Sequence, residues 1–417
     1  MRTLSLLRSA LVISASVLAA CQKPMPEEGT WSGAVSIGPE RTIPLRMALD
    51  FKSTPPRGAF LVGEERTVIP ELRLDGDSLV LTISEYKAAM RARWDGTRLV
   101  GRYERYRADT TGLDFTAWPE VAESGPGTSE ATGAAPAVRL SGNFRVYMSQ
   151  EGGVDSISTA TFRIKGDSVF GTIIAPDGDY GLLAGVQQGS TVVLNRFTGW
   201  QINQLELHGR GSEWEALYRV RDLKPQQFTL RPLAARESVE PTGTSTRMKN
   251  PRLPFAFWGV TRDGDTVRHS DERFRGKVLL LDIMGTWCHN CLDAAPVLQQ
   301  LSEQFGPQGL EVVGLAFEIS DDASLARKNL SLYSDRHGIT FPILFCGSLE
   351  PANVQNRIKS QLENFGAYPT SIFVGRDGRV RFIRMGFKGP GTGDAYQSEI
   401  ASTWSQVQAL LGEKAQY

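Results

Sequence analysis

Two cysteines separated by two residues, Cys288 and Cys291, have the clearest capacity for chemistry in this chain. Such a pair can close a small disulfide ring and reopen it, and a helix N-terminus stabilises a thiolate through its dipole and free backbone N–H groups. These are the requirements for exchanging electrons with the disulfides of other proteins. The spacing predicts that Cys288 stays exposed and attacks, and that the more buried Cys291 resolves the mixed disulfide.

A strand and a helix are expected to position this pair. Residues 277–281 are a lysine followed by an apolar run, which is typical of a buried strand, and residues 282–285 connect that run to the cysteines. After Cys291, apolar residues recur at helical spacing, namely Ala294, Val297, Leu298, Leu301 and Phe305. The pattern therefore places Cys291 in the first turn of an amphipathic helix.

Further residues make the segment 251–417 resemble a thioredoxin fold, and more narrowly the TlpA/ResA-like family of membrane-tethered thiol–disulfide oxidoreductases. The resemblance is carried by Asp282, Pro296, Tyr368-Pro369-Thr370 and the glycine-rich segment from Gly386 to Gly393. It implies an α/β domain with a buried aspartate under the active site, a proline inside the first helix and a cis-proline loop. The chain departs from the family at Ala294, where many relatives have a glutamate, and at Met284, where an aromatic residue is commoner.

Two acidic residues are candidates for moving the proton of the resolving thiol. Asp282, if buried beneath Cys291, would have a raised pKa and could accept that proton. Glu318 ends the neighbouring predicted strand and is the weaker candidate for the same task. The alternative for Asp282 is an ordinary aspartate at the end of a strand.

The remaining predicted site residues surround the attacking sulfur. A cis peptide at Pro369 would hold the loop of Tyr368 and Thr370 against the active site and offer a strand edge to a bound peptide. Trp287 would shield the cysteines and form part of the surface on which a client protein docks. His289, if protonated, would stabilise the thiolate and make the couple more oxidising.

The N-terminus predicts export and lipid attachment. Residues 1–20 have the composition of a signal peptide, and their apolar stretch is too short for the ~20 residues that span a bilayer. Small residues precede Cys21, which fits the bacterial lipoprotein pattern in which this cysteine is acylated and anchors the chain. Residues 21–30 would be a tether. Gln22 favours the outer membrane over the inner one, so we expect a lipoprotein of the cell envelope that faces the periplasm.

Composition excludes some classes of partner. Forty-six basic and 46 acidic residues give a formal net charge of zero, so nucleic-acid binding is not expected.

The chain has only four cysteines, and an exported protein with one C-x-x-C pair is not held together by structural disulfides. No cofactor is expected beyond the redox-active Cys288–Cys291 disulfide. The fourth cysteine, Cys346, follows an apolar run and is predicted to be a buried free thiol.

The longer N-terminal part of the chain predicts an all-β barrel or sandwich over residues 31–233. Short runs of alternating apolar and polar residues are broken by Gly- and Asp-containing turns. A Gly-, Ser- and Pro-rich stretch at 120–137 divides the pattern into two halves and is interpreted as a mobile insertion within one domain, because each half alone would leave open sheet edges. Residues 234–250 would be a linker. His208 is predicted to be a surface or strand residue.

The C-terminal part predicts alternating strands and helices. A hairpin over 255–269 is followed by the active-site strand and helix, a buried strand at 310–317, and a helix over 321–337 capped by Asp321 or Asp322. A short strand at 342–345, a helix within 351–363, a hairpin turning at 377–378 and a final helix over 394–411 complete the pattern. His269 and His337 are predicted to lie at the surface.

Several functions are compatible with these patterns. The resemblance implies exchange of dithiol and disulfide with client proteins, usually as a reductase fed by a membrane electron donor. A peroxiredoxin-like peroxidase is an alternative, although its Pro-x-x-x-Thr-x-x-Cys pattern would need proline and threonine at Leu281 and Gly285. A metal-binding or delivery module is another, although a closed zinc site needs about four ligands. The segment 389–393 lacks the Gly-Lys-Ser/Thr of a phosphate loop. In a last alternative, the β domain binds partners and the redox module is ancillary.

Overall fold

The computed structural model of the chain describes residues 28–39, 41–106, 111–120, 139–150, 153–221, 223–234, 237–238, 240–241 and 245–413. The predicted signal peptide, Cys21, and all but the ends of the predicted tether and insertion therefore lie outside the described residues.

The first nine strands form one antiparallel sheet, which we call the N-terminal sheet. The strands are β1 (Gly29–Gly38), β2 (Arg41–Asp50), β3 (Arg57–Val62), β4 (Glu65–Val68), β5 (Glu71–Asp75), β6 (Ser78–Ile83), β7 (Ala88–Trp94), β8 (Leu99–Arg105) and β9 (Thr111–Pro119). Their spatial order is β4-β3-β2-β1-β9-β8-β7-β6-β5. Alternate residues of β2, from Ile43 to Leu49, are buried, as expected for a sheet with one face on a core. A 3₁₀ turn, Ser84–Tyr86, follows β6.

The next nine strands form the middle sheet. They are β10 (Gly142–Gln150), β11 (Gly153–Lys165), β12 (Ser168–Ala175), β13 (Gly178–Asp179), β14 (Leu183–Gln188), β15 (Thr191–Phe197), β16 (Ile202–Arg210), β17 (Glu213–Val220) and β18 (Gln226–Pro232). Because β11 pairs with both β10 and β12, this sheet closes on itself as a barrel. The N-terminal and middle sheets together are called the β region below.

The C-terminal domain has a seven-stranded mixed sheet. Its strands are β20 (Trp258–Val260), β21 (Thr266–Arg268), β22 (Val278–Met284), β23 (Leu310–Glu318), β24 (Ile343–Ser348), β26 (Thr370–Val374) and β27 (Val380–Met385), in the order β21-β20-β24-β23-β22-β26-β27. A separate two-stranded ribbon pairs β19 (Arg247–Met248) with β25 (Leu362–Glu363). The three central strands β22, β23 and β24 are parallel and almost entirely buried.

Four α-helices belong to the C-terminal domain. They are α1 (His289–Phe305), α2 (Ala323–His337), α3 (Pro351–Val354) and α4 (Asp394–Leu411), and a π-helical turn, Gln355–Lys359, follows α3. One apolar core joins α1, α2 and α4 to one face of the sheet, and a second core covers the opposite face with residues near Phe255 and Ile358. This layered arrangement is what positions the two cysteines.

The expected fold class is confirmed, since an all-β N-terminal part precedes an α/β thioredoxin-like domain. One step of the interpretation was wrong. The expectation that each half alone leaves open sheet edges holds for the N-terminal sheet, which ends at β4 and β5, but not for the middle sheet, which closes through the β11–β12 pairing. The halves nevertheless pack together, as Phe197 and Ile202 of the middle sheet belong to the core of the N-terminal sheet. Among the described residues, no helix has the length and apolarity to cross a membrane.

Candidate redox site

The two cysteines lie where strand β22 gives way to helix α1. Cys288 is the N-cap residue of α1, and Cys291 lies in its first turn. They form a disulfide with a Cα–Cα distance of 5.2 Å. The backbone N–H of Cys291 donates to Cys288 Sγ at 3.2 Å. After reduction, this N–H and the helix dipole would stabilise negative charge on the sulfur of Cys288.

Asp282 is buried on β22, six residues before Cys288. It accepts a hydrogen bond from Ser371 Oγ at 3.0 Å, and burial raises its pKa to about 6. The burial and the raised pKa that the sequence predicted are both found. A carboxyl with this pKa is partly protonated near neutral pH and can therefore accept or release a proton.

Glu318, the second candidate for accepting the proton, is hydrogen-bonded to the loop that leads into the cysteines. It ends β23, and its two carboxylate oxygens accept from the backbone N–H of Thr286 at 3.0 Å and from Thr286 Oγ1 at 2.7 Å. Burial raises its pKa, while the bonds from Thr286 lower it. Both oxygens are thus occupied in holding the loop that leads into the cysteines.

The loop preceding β26 lies against the cysteines. The Tyr368–Pro369 peptide is cis, as the resemblance implied. The backbone oxygen of Tyr368 lies 3.3 Å from Cys288 Sγ, and Thr370 Oγ1 donates to the oxygen of Ala367 at 2.8 Å, which closes the loop. The ring of Tyr368 packs edge-to-face against Trp287, whose Nε1 donates to the backbone oxygen of Phe317 at 2.8 Å.

The expectation that Cys288 stays exposed is wrong for this arrangement of the chain. Only 5% of Cys288 and 1% of Cys291 are exposed, and Pro369 is buried as well. Cys288 belongs to the core of the C-terminal domain, and both of its sequence neighbours contact the β region. Trp287 packs against the core of the N-terminal sheet, and His289 is bonded to the middle sheet, so both neighbours of Cys288 are covered.

His289 is held as a neutral imidazole. Its Nε2 donates to the backbone oxygen of Asp179 at 2.9 Å, and its ring lies beside Trp200, with 6.4 Å between the ring centroids. Burial and, to a smaller extent, the nearby charge of Arg196 lower the pKa of His289 to about 4. The predicted help from a histidinium therefore does not apply while the β region is docked.

Sequence reasoning missed a group of charged residues beside His289. Asp179 and Glu65 come from the β region, and Asp293 comes from α1. Burial raises the pKa of Asp179 to about 6, and burial with the charges of Glu65 and Asp179 raises that of Asp293 well above its usual value. Arg196 donates to both oxygens of Glu65 at 2.6 and 2.7 Å. Asp179 lies in one of the Gly- and Asp-containing turns of the β region, and nothing in the sequence pattern indicated what that turn would contact.

The other predicted residues lie away from this site. Cys346 is a buried free thiol, and burial raises its pKa to about 12. It lines a cleft of about 440 Å³ that is also lined by Ile283, on the sheet face opposite α1.

His208 is exposed on β16, as predicted, whereas His337 and His269 are half-buried rather than exposed. His337 packs on the ring of Tyr333. Among the described residues, no group of three His, Cys, Asp or Glu side chains is arranged to hold a metal ion.

Comparison with known proteins found relatives of the C-terminal domain. Residues 249–383 match the model of the AhpC/TSA family. The thiol–disulfide oxidoreductases ResA of Geobacillus thermodenitrificans and of Geobacillus kaustophilus are 27% and 29% identical over 127 and 123 residues. These alignments cover 30% of this chain, and they span 65% and 62% of the two relatives, a little under two thirds of each.

A solved structure also matches this part of the chain. The thiol:disulfide interchange protein of Chlorobium tepidum has 23% sequence identity and a TM-score of 0.29. The match covers 38% of this chain and 94% of that protein.

Proposed function

We propose that this chain, whose residues 249–383 match the AhpC/TSA family model, is a thiol–disulfide oxidoreductase that acts on client proteins through Cys288 and Cys291. The main support is the position of Cys288 at the N-cap of α1, with the N–H of Cys291 directed at its sulfur. The ResA relatives and the buried Asp282 beside the motif support the same activity.

The reaction proceeds in two exchanges. The thiolate of Cys288 attacks one sulfur of a client disulfide, which forms a mixed disulfide and releases the other client sulfur as a thiolate. Cys291 then loses its proton, attacks Cys288, and releases the second client sulfur. Asp282 would receive that proton. Two electrons pass to the client, and the pair is left as a disulfide that a donor dithiol must reduce.

The direction and place of this exchange follow from weaker indications. We propose reduction of clients, fed by a membrane electron donor, with no cofactor other than the disulfide itself. The predicted signal at 1–20 and the lipid on Cys21 would hold the protein on a membrane of the cell envelope, facing the periplasm. Potentials of such couples span about −270 to −120 mV. Equilibration with glutathione decides the direction, and a potential near the oxidising end contradicts a reductase.

The decisive experiment traps the intermediate. In the reduced Cys291→Ser protein, the second exchange is blocked, so clients should remain attached to Cys288 as mixed disulfides. Envelope extracts incubated with this variant are separated without reductant, and the attached proteins are identified by mass spectrometry. The Cys288→Ser variant is the matched control and should retain none. Recovery of no cysteine-containing protein on Cys291→Ser contradicts the proposal.

A peroxidase is the second candidate, because the matching family model bears the AhpC/TSA description. The packing argues against it. Peroxidases of this type need a threonine three residues before the reactive cysteine, which is the position of Gly285. A Cβ atom at Gly285 would lie 2.8 Å from the oxygen of Phe317 and would overlap the Trp287 ring. Hydrogen peroxide consumption that is lost in Cys288→Ser would restore this candidate.

A further inference from the structure

The glycine-rich segment from Gly386 to Gly393 has no part in the exchange reaction, yet it is mostly buried. It packs against the turn at residues 177–182 of the middle sheet. A Cβ atom on Gly386 would lie 2.7 Å from the carbonyl carbon of Asp177, and one on Gly391 would lie 3.1 Å from Cα of Leu182. The two backbones are therefore too close for side chains between them.

A buried hydrogen bond joins the same two segments. The backbone N–H of Gly389 donates to Asp179 Oδ2 at 2.6 Å, while Oδ1 of the same carboxylate accepts from the N–H of Gly181 at 2.7 Å. The oxygen of Asp179 also accepts from His289. One residue of the β region thus bonds both the glycine-rich segment and the dipeptide between the cysteines.

Ion pairs join the β region to the C-terminal domain along α2, and a further ion pair joins the glycine-rich segment to the segment that connects these two parts. Arg336 pairs at 2.8 Å with Glu85, which is 2% exposed, and Lys328 pairs at 2.8 Å with Glu71. Lys388 pairs with Glu240. Removing Arg336 would leave the carboxylate of Glu85 buried without that partner, and this strongly disfavours the docked arrangement.

The surface that these contacts cover is the one a client must reach. Trp287 and His289, which flank Cys288 in the sequence, contact the β region, and Cys288 and Pro369 are themselves buried. A protein disulfide cannot approach Cys288 Sγ through these atoms.

We propose that the β region is an intramolecular cover of the redox site, seated on the glycine-rich segment 386–393, and that clients reach Cys288 only after the cover moves away. The partner that this segment fits is the turn at 177–182 of the same chain. The proposal rests on the proposed function only in assuming that the clients are proteins.

The test measures access to Cys288 directly. In Gly391→Val, the added side chain collides with Leu182, whereas residue 391 is not among those with positive φ and can hold a valine. Reduced Cys291→Ser protein, with and without this change, is treated with a maleimide–polyethylene glycol, and labelling of Cys288 is followed by peptide mass spectrometry. The open population sets the labelling rate, so we expect a rise of at least about tenfold.

Two controls keep the result specific. Gly306→Val adds the same atoms where a Cβ meets nothing within 4 Å, and it should label like the parent. A second opening variant, Arg336→Ala, acts through Glu85 rather than through the glycine-rich segment. Its control is Arg327→Ala, an exposed arginine on the same helix. Near-ultraviolet circular dichroism confirms that each variant is folded.

The outcomes separate this inference from the proposed function. Equal labelling of the Cys291→Ser parent and of its Gly391→Val and Arg336→Ala derivatives overturns the cover, even if the versions of all three that retain Cys291 reduce insulin. Faster labelling in both opening variants supports the cover, even if none reduces a disulfide. Faster insulin reduction by the opening variants that retain Cys291 supports both.

Discussion

At the scale of single residues, the electrostatics of the site depend on burial. Asp282 lies in the core, where water cannot solvate its charge, and Ser371 supplies one hydrogen bond. Its pKa rises from 3.8 to about 6, which corresponds to about 3 kcal/mol. Because the folded-state pKa is above the unfolded one, the neutral carboxyl contributes stability below about pH 4, and this contribution is lost as the pH rises through about 6.

The first prediction follows from the direction of the Asp282 pKa shift. Asp282→Asn removes the buried charge but keeps an oxygen that can accept from Ser371. At pH 8 the variant should have a larger free energy of unfolding than the parent, by up to about 3 kcal/mol, and at pH 4 the two should be equal. Urea unfolding at both pH values measures this. The exposed Asp265→Asn is the control, and an equal gain at pH 4 and pH 8 contradicts the account.

The same substitution has a kinetic consequence. If Asp282 takes the proton of Cys291, then Asp282→Asn should slow the release of a client from the mixed disulfide while leaving the attack by Cys288 unchanged. Stopped-flow measurement of the two phases separates these steps. A variant slowed in both phases to the same extent would show that Asp282 acts on the structure rather than on the proton.

Much of the residue-scale site was predictable. The pair of cysteines, the buried Asp282 and the cis peptide before Pro369 each follow from local sequence or from a family motif. The state of His289 was not predictable, because its hydrogen-bond acceptor lies 110 residues away on another sheet. The hydrogen bonds of Glu318 were not predictable either, because its partner Thr286 lies 32 residues earlier, in the loop after the neighbouring strand β22.

At the scale of elements, caps determine where the helices begin. Asp322 is the N-cap of α2, and its Oδ1 accepts from the N–H groups of Ser324 and Leu325 at 2.9 and 3.1 Å. These bonds satisfy two of the amide groups that the first helical turn leaves without partners. Gly338 ends the same helix with φ +62°, a conformation that favours glycine.

The second prediction concerns this cap. Asp322→Ala should lower the free energy of unfolding by about 1 kcal/mol, because two N–H groups lose their acceptor. Asp321→Ala, one residue earlier and exposed, is the matched control and should change little. Denaturant melts of both variants measure the difference. An equal loss in the two variants would mean that charge at the helix start matters rather than the cap itself.

Elements with strong local signals were predicted well. The final helix, Asp394–Leu411, has the predicted limits, and the choice between Asp321 and Asp322 as cap is settled by the hydrogen bonds. The region 351–363 was less predictable. It holds a short α-helix followed by a π-helical turn, Gln355–Lys359, instead of one regular helix, and Ile358 of that turn packs into the core.

At the scale of the whole molecule, the placement of the β region on the C-terminal domain is the feature that sequence could not supply. The two contacting surfaces come from distant parts of the sequence, the turn at 177–182 and the glycine-rich segment 386–393. No pattern in a single sequence indicates that these two surfaces contact each other. Among the described residues, two ion pairs, two hydrogen bonds accepted by Asp179 and close backbone contacts join the two parts.

The last prediction tests this coupling. Differential scanning calorimetry of the full chain should show overlapping unfolding of the two parts, since loss of one exposes the docked surface of the other. In Gly391→Val the two transitions should separate, because domains with a weakened interface unfold independently. Gly306→Val should resemble the parent. Well-separated transitions already present in the parent would show that the interface contributes little stability.

The short ribbon formed by β19 and β25 limits how far the β region can move from the C-terminal domain. Arg247 and Met248 are paired with Glu363 and Leu362, so the chain is already fastened to the C-terminal domain from that point onward. Arg247 follows Pro232, the last residue of β18, by only 15 residues. An anchor this close along the chain would keep the barrel near the site that it uncovers, so the cover could return after each exchange.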